Sequence, residues 1–185
     1  MDSTLRRFLS AGGPPIAMSQ SNPVQRLIAI ALLRAGPEDL PCSAGLMGIA
    51  IAVTAAINVP VIQRFTPQAE PLLQIALLAG YNLAFLALAL WLRGHAARFI
   101  QSATALFGTD AVISLVALPV LLFVGSPEQA SPIGALSFLL LLIWNIAVVN
   151  HILRSALNLG GLLSLAITLA YIFGGSAFVR AASGV

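Results

Sequence analysis

From Ser43 onward the chain alternates long apolar runs with brief polar interruptions, and five of those runs are long enough, or nearly so, to cross a bilayer. A spanning helix needs about 20 predominantly apolar residues. The runs cover residues 43–63, 71–93, 109–124, 132–153 and 160–179. They predict an all-α fold, a polytopic membrane helix bundle of about five transmembrane helices in one domain over residues 23–180. Pro41 with Ser43, and Pro71, suit helix starts. Trp91 and Arg93 form an interface anchor at the end of the second span. The third span has the shortest apolar run and contains Pro119. The fourth and fifth are joined so closely that they must pair antiparallel.

Two further segments are helical in pattern without being spans. Val24 to Leu33 is apolar apart from Gln25 and Arg26 and is too short to cross. It predicts a short N-terminal helix at the cytoplasmic surface. Between Gly94 and Phe107, Phe99, Ile100, Ala103, Leu106 and Phe107 recur at helical spacing opposite Arg98, Gln101, Ser102 and Ala105. This amphipathic stretch predicts a mid-chain interfacial helix, or else a tilted extension of the third span. Residues 1–22 carry Gly12, Gly13, Pro14 and Pro15 and no sustained apolar core, so they predict a flexible tail rather than a signal peptide.

Composition strengthens the membrane assignment. Hydrophobic residues make up 59% of the chain and charged residues 8%, against about 25% charged in soluble domains. All nine basic residues are arginine, and they gather near the ends of the spans rather than on one basic face. That distribution excludes nucleic acid as a partner. With the N-terminus inside, seven of the nine (Arg6, Arg7, Arg26, Arg34, Arg93, Arg98 and Arg154) are cytoplasmic, and only Arg64 and Arg180 face out. This bias predicts a bacterial inner membrane protein with a cytoplasmic N-terminus and a periplasmic C-terminus. Cys42 is the only cysteine, so no intrachain disulfide forms.

Candidate chemistry is sparse. No catalytic, cofactor or metal-binding signature stands out, and none of these sites is assigned. His95 and His151 read as interface histidines. Asp110 opens the third span, while Asn150, His151 and Arg154 close the fourth, and the topology places the four at similar depth as a candidate polar cluster. Three readings of Asp110 stand side by side: a helix cap together with Thr109, a partner of Arg154 or His151, and a proton-handling group. Asn58, Tyr81, Asn82, Asn145, Thr168 and Tyr171 are the polar residues inside the spans, and they suit interhelical hydrogen bonds.

Small residues recur every four positions: Ala44, Gly48, Ala52 and Ala56 in the first span, Ala76, Gly80 and Ala84 in the second, Ala166, Ala170 and Gly174 in the fifth. A second row in the fifth span is Gly160, Ser164 and Thr168. In lipid, close backbone approach along such rows replaces the hydrophobic drive for helices to associate. The rows suit packing within the chain, or docking onto other integral membrane proteins or a second copy.

The stretches Leu33-Arg34-Ala35-Gly36-Pro37-Glu38-Asp39-Leu40-Pro41 and Phe107-Gly108-Thr109-Asp110-Ala111 give the chain a resemblance to the bacterial Yip1-like membrane proteins, over roughly Pro23 to Val179. The resemblance implies five spans, a cytoplasmic N-terminal tail and a non-enzymatic protein that binds other membrane proteins. The short Tyr-Gly signatures of the eukaryotic members are absent. The expected function is therefore a scaffold, assembly factor or accessory subunit in the lipid bilayer. A small transporter or channel component is the alternative; that class would favour a broken helix or several charges in mid-membrane, and the sequence offers neither an internal repeat nor a mid-span charge.

Overall fold

A computed structural model of the protein describes residues 22–65, 70–124 and 131–183. The tail expected over residues 1–22 therefore lies outside the described residues, apart from Asn22. Among the described residues every regular element is helical. Helix α1 is Pro23–Ala31, α2 is Ala44–Phe65, α3 is Pro71–Leu92, α4 is Phe99–Val124, α5 is Pro132–Leu157 and α6 is Gly161–Ser183. Short 3-10 turns at Pro37–Asp39 and Ala96–Arg98 precede α2 and α4. Helices α2 to α6 are each long and apolar enough to cross a membrane.

Local chemistry explains the boundaries. Proline stands in the first turn of α1, α3 and α5, where its missing N–H leaves no bond unmade. The Asn22 and Ser131 side chains accept the free N–H groups of Val24 and Gly134, at 3.1 and 3.2 Å, and Ser43 accepts from Leu46 at 3.3 Å. Helices α1, α3 and α5 close by one device. A residue in the left-handed region, Leu33 (φ 61°), Gly94 (φ 70°) or Asn158 (φ 50°), reverses the chain. The N–H of the residue after it then bonds back into the last turn: Arg34 to Ala29, His95 to Leu90 and Leu159 to Arg154. Pro60 lies inside α2 and Pro119 inside α4.

The third span is longer than its apolar run. Of the two courses open to residues 94–107, the structure takes the second: the expected mid-chain interfacial helix shrinks to the turn Ala96–Arg98, and α4 runs on unbroken from Phe99. The polar residues that interrupt the apolar pattern are absorbed within the helix. Thr104 and Thr109 hydroxyls donate to the Ile100 and Ala105 carbonyls, both at 2.7 Å. Ser102, Ala103, Thr104 and Ala105 are all buried against neighbouring elements, so the side read as water-facing is covered by protein.

The five long helices form a ring. Helix α2 packs along α4, α4 against α5, α5 against α6, α6 against α3, and α3 closes back onto α2. The buried core fills the end of the ring nearest α1, with Leu86 and Leu90 of α3, Val148, Ile152 and Leu153 of α5, and Ile30 of α1.

The N-terminal helix is short, as expected, and is anchored deeper than a helix resting on the surface. The Trp144 indole N–H donates to the Ala31 carbonyl at 2.8 Å. Trp144 is thirteen residues from Leu157 at the end of α5, about 20 Å of helix. From there the chain descends along α5 and α4. His151 Nε2 is 2.9 Å from the Ala35 carbonyl, Gln101 donates to the Leu40 carbonyl at 2.8 Å, and the Ser155 hydroxyl donates to Glu38 at 2.8 Å. Leu27 packs where a Cβ on Gly108 would have to sit, so α1 approaches the α4 backbone closely. Residues 23–41 thus form a strap seated against α4 and α5.

The strap gives a direct test. In a Cys42→Ser background, a cysteine replacing the fully buried Ile30 should resist thiol reagents. Adding Gly108→Val should expose it, because the new side chain displaces Leu27. Trp144→Phe should weaken strap docking by about 1 kcal/mol, the usual value of one hydrogen bond, read as faster labelling of the same cysteine.

Candidate functional site

The ring encloses a cavity of about 560 Å³. Its walls run from Ile51 to Ile62 on α2, Gln74 to Asn82 on α3, Leu106 to Ile113 on α4, Asn145 to Val149 on α5 and Tyr171 to Arg180 on α6. On α2, α3 and α6 the lining reaches toward the end remote from α1, while on α4 and α5 it stays in mid-helix. The cavity therefore starts in mid-bundle and rises toward the α2–α3 and C-terminal ends, while the core and the strap close its base.

The lining mixes apolar walls with polar groups from all five helices. Thr54 and Asn58 come from α2, Gln74 and Asn82 from α3, Thr109 and Asp110 from α4, Asn145 from α5, and Tyr171, Ser176 and Arg180 from α6. Asp110 holds the most demanding position. It is eleven residues from Phe99 and fourteen from Val124, about 17 and 21 Å along the helix. The expectation that it opens a span is corrected: it sits near the middle of α4, and neither it nor Thr109 is a cap.

Across the α2–α4 seam the Asp110 carboxyl faces the Asn58 amide, which interacts with it electrostatically. The Asn58 amide also donates to the Thr54 carbonyl at 2.9 Å and lies 3.5 Å from the Ser114 hydroxyl. One turn earlier the buried Thr54 hydroxyl donates to the Phe107 carbonyl at 2.6 Å. These contacts lace α2 to α4 along the cavity wall. On the opposite wall Tyr171 lies within electrostatic range of Asp110.

Aromatic packing holds that opposite wall. Tyr171 meets Phe85 edge-on at 5.3 Å and Tyr81 at 6.2 Å between ring centroids. Tyr81 stacks on Phe178 at 5.7 Å, and its hydroxyl donates to the Ala170 carbonyl at 3.4 Å. Gly174 admits the Tyr81 hydroxyl where a Cβ would collide with it.

The expected cluster of Asp110, Asn150, His151 and Arg154 does not form. Asp110 faces the cavity. Asn150 turns to α6, its amide oxygen 3.4 Å from the Thr168 hydroxyl, which itself donates to the Ser164 carbonyl at 2.8 Å. His151 is engaged by the strap, and Arg154 is exposed in the last turn of α5. Successive residues on a helix point about 100° apart, and Asp110 stands several turns deeper than Arg154. The expected mid-span polar residues divide as well. Asn58, Asn82, Asn145 and Tyr171 line the cavity, whereas Tyr81 and Thr168 serve helix packing.

The small-residue rows divide in the same way. Ala44, Gly48, Ala52 and Ala56, and likewise Ala76, Gly80 and Ala84, are exposed on the outside of the ring, with open space where a Cβ of Gly48 or Gly80 would sit. Ala166 and Ala170 are exposed too, and Gly174 abuts Tyr81. It is the other α6 row, Ser164 and Thr168, that is buried within the chain.

Among the described residues no group of three or more His, Cys, Asp or Glu side chains could hold a metal ion. What the cavity offers is one carboxyl, several amides and a tyrosine ring in apolar walls, a set suited to holding a small solute. Comparison with protein-family models, with curated proteins and with solved structures finds no match to this chain.

The Asn58–Asp110 contact should register in a double-mutant cycle. Asn58→Ala and Asp110→Ala should each lower the unfolding temperature in detergent. Their combination should fall short of additivity by about 0.5–2 kcal/mol, as for residues in direct contact. Asp110→Ala with Arg154→Ala should be additive, since those residues share no partner.

Proposed function

We propose that the protein is a small transporter or channel component that admits a polar or charged small solute into its five-helix cavity. The observation that carries this reading is the cavity itself: about 560 Å³, lined by polar groups from every spanning helix and holding a carboxyl in mid-bundle. Ionisable groups at membrane depth are energetically expensive and mark solute or ion pathways far more often than structural positions. The polar lining and the mid-helix place of Asp110 support this alternative ahead of the scaffold reading, since the sequence alone offered no mid-span charge.

The arginine distribution supports a bacterial inner membrane with α1 on the cytoplasmic side. Arg26, Arg34, Arg93, Arg98 and Arg154 stand toward the α1 end of the ring, and Arg64 and Arg180 toward the other. In that orientation the cavity rises toward the periplasm and the strap closes its cytoplasmic base.

A second reading, an accessory or scaffold subunit, rests on a different observation. The rows through Gly48 and Gly80 are exposed, with none of the described residues beyond their own stretch of helix within 4 Å of where a Cβ at either glycine would sit, and small-residue rows of this kind let another helix approach closely. The resemblance to Yip1-like proteins supports the same reading. The two functions are compatible, since a solute-handling subunit can belong to a larger assembly.

Thiol access and flux test the first reading together. In a Cys42→Ser background, cysteines replacing Asn82, Asn145 or Ser176 should react with a small water-soluble thiosulfonate added from one side only, while one replacing the buried Leu153 should not. Proteoliposomes should take up one or more small solutes faster than protein-free vesicles, and modification at position 145 should abolish the difference. Unreactive cavity cysteines together with no accelerated flux would sink the proposal. For the second reading, Gly48→Leu or Gly80→Leu should leave the monomer's unfolding free energy within about 0.5 kcal/mol of the parent, as for surface changes, while releasing any partner that co-purifies with the parent.

A further inference from the structure

The cavity's charge and wall chemistry narrow the kind of solute it takes. Its lining contains one acidic side chain, Asp110, and one basic side chain, Arg180. Arg180 is exposed near the end of α6, nine residues beyond Tyr171, about 14 Å of helix. The two charges therefore stand at opposite ends of the cavity, and the inner end carries a carboxyl with no cationic side chain in its lining. Asn58 stands beside that carboxyl but brings no compensating charge. A carboxylate so placed calls for a positive ligand, since an ionised group in surroundings of low polarity is held only when paired.

The walls disfavour a bare metal ion. Calcium is held by six to eight oxygen ligands and zinc by about four Cys, His or carboxylate side chains, and the described residues hold no group of three or more His, Cys, Asp or Glu that could provide such a set. The Thr54 and Thr109 hydroxyls donate to the Phe107 and Ala105 carbonyls. The remaining inner surface is largely hydrocarbon, with Phe107, Ile113, Val149 and Ile172 beside the Tyr171 ring. Such walls favour a cation that carries its own apolar skin. A positive charge against an aromatic face gains further attraction. The volume of about 560 Å³ falls within the range that accommodates drug-sized organic molecules.

We propose that the inner half of the cavity binds an organic monocation, a quaternary or protonated amine or its phosphonium equivalent with an apolar body, with Asp110 as counter-ion, Asn58 orienting the carboxyl and Tyr171 offering its ring. This assignment rests on the cavity being a solute site, and the two can fail separately.

The test uses the full chain in lipid nanodiscs, with equilibrium dialysis of tetraphenylphosphonium and of tetraphenylborate, which has nearly the same shape and the opposite charge. Binding to empty nanodiscs is subtracted. The expected result is one saturable site per chain for the cation and none for the anion. Asp110→Asn should weaken cation binding at least tenfold, Asp110→Glu should retain it, and Arg154→Gln, a charge change outside the cavity, should leave it unchanged. Tyr171→Leu should weaken it severalfold, which keeps the test decisive if Asp110→Asn does not yield folded protein. Equal binding of cation and anion, or full binding by folded Asp110→Asn or by Tyr171→Leu, would overturn the assignment. Flux of neutral solutes without cation binding would overturn it while leaving transport standing; cation binding without flux of any solute would support it while removing transport.

Discussion

A chain surrounded by lipid has no water to satisfy a stray peptide group, so each break in a helix must be closed by the protein itself. That constraint bears hardest on residues 31–41, which leave α1, reverse at a left-handed leucine and reach α2 without regular hydrogen bonding for most of their length. The partners are side chains from other helices: Trp144 for Ala31, His151 for Ala35 and Gln101 for Leu40. Each of these donors stands on α4 or α5. Those two helices are consequently the longest of the five, extending past their neighbours to meet the strap.

The same requirement organises the rest of the bundle. Arg93 reaches from the end of α3 to the last carbonyls of α5, Leu157 and Asn158, at 3.2 and 3.1 Å. There a cation also opposes the negative end of the helix dipole. Arg98 approaches the Ser155 carbonyl at 3.4 Å. Arginines at the ends of the apolar helices thus close the neighbouring helix. With the base sealed in this way, the loosely filled half of the ring lies at the other end, where α2, α3 and α6 diverge enough to leave a cavity. The polar groups facing it are the ones not consumed by sealing.

Much of the architecture was legible in the sequence because hydrocarbon length and proline placement dictate it: the starts at Pro71 and Pro132 and the count of five spans follow from these alone. The third span was not, because Ser102, Thr104 and Thr109 look like surface residues when their hydroxyls are taken to need water. In the helix the Thr104 and Thr109 hydroxyls bond to carbonyls one turn back, and Ser102 is buried against neighbouring elements. Misjudging that start placed Asp110 at the membrane surface beside Arg154, and the true partner, Asn58, then stood at the wrong depth to be considered. Nothing in the local pattern distinguishes an aspartate that caps from one that faces a cavity. The small-residue rows were visible as rows, but periodicity gives the face and not its neighbour, so α2 and α3 could not be seen to turn theirs outward.

The two internal prolines stand in adjacent helices, each on the cavity side of the Asn58–Asp110 contact. Pro60 and Pro119 have no N–H to give, so the carbonyls of Ala56 and Leu115 lose their usual partners, a missing rung in each helix. Below these rungs α2 and α4 are stitched together by Thr54, Asn58 and Asp110 and backed by the strap. Pro60 stands just beyond the Asn58 contact in α2, and Pro119 interrupts α4 about a turn further along. The ring is accordingly built like a cup, its foot held by interhelical hydrogen bonds and the strap while each of two wall helices lacks one backbone rung nearer the lip.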